Sequence, residues 1–407
     1  RKKNQTKVVT VKVSNSTQKP THSAFRNVDL AALKQDVKEW LGVQRVGPFW
    51  IKRRLSTQDV EKALLWVKSG KWCRFKNSRE GYAHCSHRKT GFPFTITVVS
   101  DGSQVFLDRK KPAVEGSGTY KTVTRSLRIG PDGSIEKIAA VRPNRHDDYM
   151  YLIQPDCLMT RYQVENPFRP RFLHDYLSST NKIVVKGYCS FSHRKDLLEE
   201  ISKANADPKH DLNDIATIQK IFCSLANELA SLHNKGLVHR DIKPCNIFYD
   251  GETPRFADFD FLVDFDLLND DASSKTAGTS AFMLPATALK GEKVTMDELR
   301  NSDVFALGMS MLLVIIKSKK SKMHHYTDYL KQVKNANENE GTYVRLTPLQ
   351  KIARLNNEHA KLSDEIKSEA NRNSLKEQLS LLALDMTQPN SQIKIEEVVE
   401  RLDTLTV

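Results

Sequence analysis

Residues 237–260 read LVHRDIKPCNIFYDGETPRFADFD, and no other stretch of the 407-residue chain constrains its fold as tightly. The preceding run, IATIQKIFCSLANELASLHNKG, carries apolar residues at helical spacing and ends at Gly236, a residue suited to closing a helix because it accepts a left-handed backbone. A long helix therefore delivers the chain into a short polar loop that holds Asp241, Lys243 and Asn246. Asp250 and Gly251 then turn the chain, and Asp258 follows 17 residues after Asp241.

Two carboxylates, an amide and a lysine on neighbouring loops are what phosphoryl transfer needs. One carboxylate accepts the proton of an attacking hydroxyl and another holds Mg²⁺ on a nucleotide. The amide supports a second metal, and the lysine offsets charge on the moving phosphoryl group.

The rest of the chain divides by composition. Residues 1–24 are polar and basic and read as a disordered arm. Residues 25–112 read as a small basic α+β domain. In it, NVDLAALKQDVKEWL places Leu30, Leu33, Val37 and Trp40 on one helical face, and STQDVEKALLWVKSG has a Ser56/Asp59 capping pair before an apolar run. FTITVVS and QVFLD flank Asp101-Gly102, which predicts a hairpin. From residue 113 the strand-like runs YKTVTRSLRI, IEKIAAVR and KIVVKGYC precede long helical ones, giving a strand-rich part over 113–189 and a helical part over 190–407. A charged helical run at 345–380 falls in an insertion near 318–378 and reads as a solvated helix pair.

Hydrophobic residues make up 39% of the chain, ample for a packed core. No stretch approaches the ~20 uninterrupted apolar residues of a membrane helix. The start, RKKNQTKVVTVKV, lacks the apolar centre of a signal peptide, and a chain beginning at Arg1 is expected to be a fragment. The six cysteines, Cys73, Cys85, Cys157, Cys189, Cys223 and Cys245, have no framework spacing and predict reduced thiols in an intracellular, cytoplasmic setting. His84-Cys85-Ser86-His87 is too crowded for zinc-finger spacing and reads as surface.

Residues 237–260 resemble the catalytic and metal loops of eukaryotic-type protein kinases, HRDxKxxN followed by a DFG-like triplet. The resemblance implies a bilobal α+β fold, ATP and Mg²⁺ as cofactors, and serine or threonine hydroxyls of proteins as acceptors. It implies Asp241 as proton acceptor, Lys243 as the serine/threonine-type lysine, and Asn246 and Asp258 as metal ligands. It extends from residue 113 to the end. GSGTYKTV, residues 116–123, resembles the nucleotide loop with Gly116, Gly118 and Val123 in its motif positions. FLHDYL and KIVVKGYC resemble strands leading to a hinge at Gly187, Tyr188 and Cys189, and AGTSAFMLPA resembles the end of an activation segment. NSDVFALGM resembles the buried helix whose Asp303 caps the catalytic loop, and DMTQPNSQIKIEEVVERL resembles the closing helix.

Departures from that pattern carry information of their own. Asp260 stands where the metal triplet has glycine, which biases the loop toward one conformation. Leu284-Pro285-Ala286 lacks the usual final glutamate, and Gln392 replaces its arginine partner, so no charge is stranded. Arg142 occupies the place of the phosphate-contacting lysine in Ala139-Ala140-Val141-Arg142, and a planar guanidinium does not reproduce a compact ammonium. Yet GSGTYKTV resembles the loop of the with-no-lysine kinases, in which a lysine on the second strand reaches the phosphates; Lys121 falls at that position. The two departures are complementary and imply a relocated charge. The carboxylate that partners this lysine from a helix is nearest in register at Asp156, with Glu165 a second option and Pro155 obscuring the helix start. Arg240 resembles an arginine that could pair with phosphate on Ser273, Ser274 or Thr276. The alternative to an active enzyme is a pseudokinase scaffold that binds nucleotide or partner proteins.

Residues 1–112 carry a net charge of +16, and the remainder −2. Besides a protein substrate, this predicts contact with a polyanion: anionic lipid, nucleic acid or an acidic protein. Trp50, Trp66 and Trp72 are expected to fill a core and not to stack on bases. The divergent motifs leave open a secreted effector acting in a host cell.

Overall fold

The computed structural model of the chain describes residues 29–41, 45–46, 49–50, 82–85, 94–99, 105–109, 114–117, 120–130, 132–145, 148–177, 182–190, 196–249, 251–264, 278–289, 294–316, 326, 347–369 and 374–405. Outside them lie the basic arm, the run STQDVEKALLWVKSG with Trp66, Trp72, the hairpin tip Asp101-Gly102, Gly118, the three activation-segment hydroxyls and, of the insertion expected near 318–378, most of residues 318–346. The chain forms two compact units: Arg1–Ser117, Thr122–Ala140 and Leu173–Lys186 make the first; Gly118–Lys121, Val141–Phe172 and Gly187–Val407 make the second.

The first unit is built on strands. A two-residue ladder joins β1 (Arg45–Val46) to β2 (Phe49–Trp50). The main sheet comprises β3 (Tyr82–Cys85), β4 (Phe94–Val99), β5 (Val105–Arg109), β6 (Val114–Ser117), β7 (Lys121–Ile129), β8 (Ile135–Pro143), β9 (Arg171–Leu177) and β10 (Lys182–Ser190). Their order is β3-β4-β5-β7-β8-β10-β9, with β6 also paired to β7. The expected hairpin forms with Val98 opposite Val105. Strand β5 then pairs with β7, Leu107 opposite Leu127. The segment 25–112, expected from its composition as a domain of its own, thus contributes strands to the sheet of the following segment; among the described residues the sheet does not stop at residue 112. The reason lies in β7, which buries Thr124, Ser126, Leu127 and Ile129 and accepts a neighbour on each edge.

Helix α1 (Leu30–Asp36) continues as a π-helical turn over Val37–Leu41. Leu33, Val37 and Trp40 are buried as the helical spacing predicts. Trp40 Nε1 donates to Ser126 O at 2.9 Å, and the Arg125 guanidinium lies 4.4 Å from the Trp40 ring centroid. The indole is therefore paired at its polar end while its ring packs.

The second unit is mostly helical: α2 (Tyr149–Arg161), α3 (Leu197–Ala206), α4 (Ile215–Asn234), α5 (Pro285–Ala288), α6 (Met296–Ile316), α7 (Pro348–Glu369), α8 (Leu375–Met386) and α9 (Ile395–Thr404). The Asp214 side chain caps α4 by accepting from the N–H groups of Ala216 and Thr217. Ile218, Ile221, Phe222, Leu225, Leu229 and Leu232 form its buried face, and Gly236 ends it at φ +76°. Each such side chain, fully buried, contributes about 1.5–3 kcal/mol. Helix α6 is buried nearly all round, and by length and composition it could cross a membrane; here 72% of its apolar window is inside the protein. At Gly308 a Cβ would lie 2.6 Å from Met386 Cβ, so the glycine lets α6 and α8 meet closely. The charged run forms α7, which buries Leu355 and Leu362. This strand-rich N-terminal part and helical C-terminal part fit the expected bilobal fold.

Candidate functional site

Two short ladders frame the polar loops. β11 (Leu237–Val238) pairs with β14 (Val263–Asp264), and β12 (Ile247–Tyr249) with β13 (Pro254–Phe256). Between them run His239–Asn246 and Ala257–Leu262. Asp303, on α6 and 1% exposed, fixes the first loop from below. Its Oδ2 accepts from His239 N and its Oδ1 from Arg240 N, each at 2.8 Å, and His233 Nε2 stands 3.1 Å from Oδ2. These bonds hold Arg240 at φ +68°, a backbone state costly for a residue with a Cβ. Arg240 Nε donates to Phe261 O at 2.6 Å, tying the two loops together. Burial lowers the guanidinium pKa to about 10, with Asp303 opposing.

Asp241 collects donors. Its Oδ2 accepts from Lys243 Nζ at 2.6 Å and Asn246 Nδ2 at 2.9 Å, and its Oδ1 from Thr279 N at 3.0 Å and Thr279 Oγ1 at 2.8 Å. Lys243 Nζ also reaches Thr279 Oγ1 at 2.8 Å. The carboxylate is thus oriented by three residues. Gly278 makes this approach possible: its φ is +118°, and a Cβ there would lie 2.2 Å from Arg240 O.

Asp258 sits at φ +60° after the β12/β13 hairpin. Lys121 Nζ lies 2.5 Å from Asp258 Oδ1 and 2.7 Å from Asp260 Oδ1, and the lysine side chain is 12% exposed. Burial works against the ammonium, but the two carboxylates outweigh it and raise the Lys121 pKa. Burial would likewise raise Asp258; Lys121 overrides it and holds that carboxyl below its ordinary value. Asp260 carries the opposite balance. Burial, with Asp258 beside it, lifts its pKa to about 7 against the pull of Lys121.

The loops therefore bring Asp241, Lys243, Asn246, Asp258 and Lys121 into one unit. Gly116 and Val123 pair across β6 and β7. Tyr188 is buried, and burial pushes the Cys189 thiol up to about 12, with the Lys121 charge opposing. Arg142 has Nε and Nη2 buried without a protein hydrogen-bond partner. Asp156 is a correction: it belongs to α2, which runs through Pro155, but its Oδ1 accepts from Arg169 Nε at 2.8 Å and Nη2 at 2.6 Å. A buried guanidinium has claimed it, so it does not partner Lys121. Thr279 lies in AGTSAFMLPA, a stretch whose motif assigns it no role, and Asp260 brings a carboxylate to a place where the motif shows only that glycine is missing. Near the place of the missing ion pair, the backbone N–H of Ala286 donates to Pro389 O at 3.1 Å.

These residues fit a nucleotide with Mg²⁺. Asn246 spends Nδ2 on Asp241 O and Oδ2, so its amide oxygen, which Cys245 Sγ meets only at 3.8 Å, is the atom that would coordinate a metal. Together with Asp258 it offers the small oxygen set that Mg²⁺ accepts when phosphates complete its shell. The two orphaned Arg142 donors are what a phosphate oxygen would satisfy.

Residues 170–388 match the family described as protein kinase domain. The chain is 27% identical over 227 residues to L-type lectin-domain containing receptor kinase S.6 of Arabidopsis thaliana, covering 50% of this chain and 29% of that protein. It is 34% identical over 218 residues to receptor kinase V.5 of the same type and organism, covering 51% and 30%. To serine/threonine-protein kinase AfsK of Streptomyces griseus it is 32% identical over 95 residues, covering 23% and 11%. The chain spans less than a third of the length of these relatives.

Proposed function

Because the chain belongs to the protein kinase family, we propose that it transfers a phosphoryl group from ATP to serine or threonine hydroxyls of protein substrates. The observation that carries this reading is the convergence of Lys243, Asn246 and Thr279 on the Asp241 carboxylate. ATP with Mg²⁺ supplies the transferable phosphoryl group and a cation that screens its charge. Asp241 orients the acceptor hydroxyl and takes its proton as the oxygen bonds to the γ-phosphorus and the bond to ADP breaks. Lys243 offsets the charge that develops there. Asn246 and Asp258 would hold the metal. Lys121, and not a lysine at the place of Arg142, is the phosphate contact, as in the with-no-lysine arrangement. Arg142 adds its two unpartnered donors.

Incubation with labelled ATP and Mg²⁺ beside an Asp241→Asn control tests the reading. Transfer by the unmodified chain, reduced roughly 10²- to 10⁴-fold in the variant, is expected. Equal incorporation in both contradicts the role of Asp241; none in either contradicts the reading and favours a binding scaffold.

The charge of +16 on residues 1–112 supports a polyanion-binding role for that part. Salt-dependent retention of the full chain on heparin, lost when clustered lysines and arginines of this part are replaced by glutamine, is the expected result. Retention unchanged by those replacements contradicts it.

A further inference from the structure

A phosphate-contacting lysine in a partly dry site needs a carboxylate to hold it charged and in place. The helix expected to supply one does not. Helix α2 carries Asp156 as its acidic residue, and Arg169 occupies that carboxylate through Nε and Nη2. Asp148, before the helix, accepts from Arg145 N at 2.9 Å. Lys121 Nζ turns instead to the metal loop, 2.5 Å from Asp258 Oδ1 and 2.7 Å from Asp260 Oδ1.

The two carboxylates are not equivalent. Asp258 is the one a divalent cation would claim, so it cannot belong to the lysine alone. Asp260 stands where the family motif has glycine, and its side chain is 13% exposed. We propose that Asp260 is the positioning residue of Lys121, taking the place of the helix-borne carboxylate and holding the ammonium while Asp258 serves the metal. This rests on the reading of Lys121 as phosphate contact. It also gives the two departures one cause: a lysine that approaches from β7 is met by a carboxylate placed on the metal loop. With glycine at 260, lysine and metal would compete for Asp258.

The test uses the full chain with Asp260→Asn, Asp260→Gly and Asp260→Glu. In the absence of nucleotide and metal, trace acetic anhydride labels lysines, and mass spectrometry reads Lys121. Faster labelling of Lys121 is expected in the Asn and Gly variants. At saturating ATP, kcat should fall roughly 10- to 100-fold in both, the range for loss of a group that orients a charged ligand, with partial recovery in the Glu variant. Thermal unfolding checks that the Asn variant, isosteric with aspartate, is folded. Unchanged labelling, or faster labelling with unchanged kcat, overturns the proposal. Lys121→Met, assayed in parallel, keeps the two claims apart: if it leaves transfer intact, the phosphate-contact reading fails, while labelling of Lys121 in the Asp260 variants still reports whether Asp260 holds it.

Discussion

Lys243 Nζ stands 2.6 Å from Asp241 Oδ2, close enough for the ammonium to share the carboxylate proposed to take the proton. Thr279 Oγ1 lies 2.8 Å from the same nitrogen and donates to the other carboxylate oxygen. Lys243→Met removes the charge and leaves Asn246 and Thr279 to orient Asp241. The kcat is expected to fall roughly 10²- to 10³-fold, the cost of losing one aimed donor at a reacting centre, with little change in nucleotide affinity. Steady-state kinetics with varied ATP measures it. A rise in KM alone would assign Lys243 to ground-state binding.

Gly278→Ala tests how the activation segment closes on that loop. The residue is at φ +118°, and its Cβ would meet Arg240 O at 2.2 Å, so either the loop or the segment must shift. Misplacement of Asp241 by about 1 Å costs roughly 100-fold in kcat. Nucleotide binding, which does not depend on this contact, should persist. Wild-type kcat in the alanine variant would mean the segment moves away during turnover.

Stability should depend on pH through His359. Its Nε2 is 3.2 Å from Thr387 Oγ1 and its ring centroid 5.5 Å from that of Tyr326. Burial pushes its pKa below the usual histidine value, while Asp385 opposes and Lys367 adds to the shift. The unfolded chain therefore takes up the proton first. The contribution is fully present above the unfolded pKa of about 6.5 and is lost as pH falls through the lower folded value, with a limiting slope of about 1.4 kcal/mol per pH unit. Buried His239 shifts in the same direction and Asp260, raised to about 7, acts in the opposite sense, so the difference between parent and variant, and not the parent slope alone, isolates His359. Urea unfolding between about pH 7.5 and about pH 5.5 (roughly one unit either side of the histidine value) should show a shallower decline for His359→Asn than for the parent. Parallel slopes would show that the α7 histidine titrates alike in both states.

What the sequence revealed and what it hid follow from the range of the interactions. Helix α4, its end at Gly236 and the loop bearing Asp241 were legible because spacing, cap and motif lie within one continuous stretch. The β4/β5 hairpin was legible for the same reason. The pairing of β5 with β7 was not, since a strand's pattern gives its buried face and not the neighbour on its edge. Nor was the fate of Asp156, which Arg169 captures from beyond the helix. Thr279 lies 38 residues from Asp241, and Lys121 lies 139 from Asp260, so their meeting is a product of the fold. Asp260 read as a missing glycine because motif comparison registers what is absent before what has been gained.

The most direct measurement compares phosphate transfer by Lys121→Met and Arg142→Met under saturating ATP and Mg²⁺. Lys121 holds its charge between Asp258 and Asp260 in a site where it is 12% exposed, so its loss should cost several kcal/mol of transition-state stabilisation. That corresponds to a fall of at least roughly 100-fold in kcat. Loss of the Arg142 donors should cost far less. The account predicts that order, Lys121→Met nearly inactive and Arg142→Met measurably active. The reverse order, with Lys121→Met unimpaired and Arg142→Met inactive, would show that the arginine makes the phosphate contact and that the charge was never relocated.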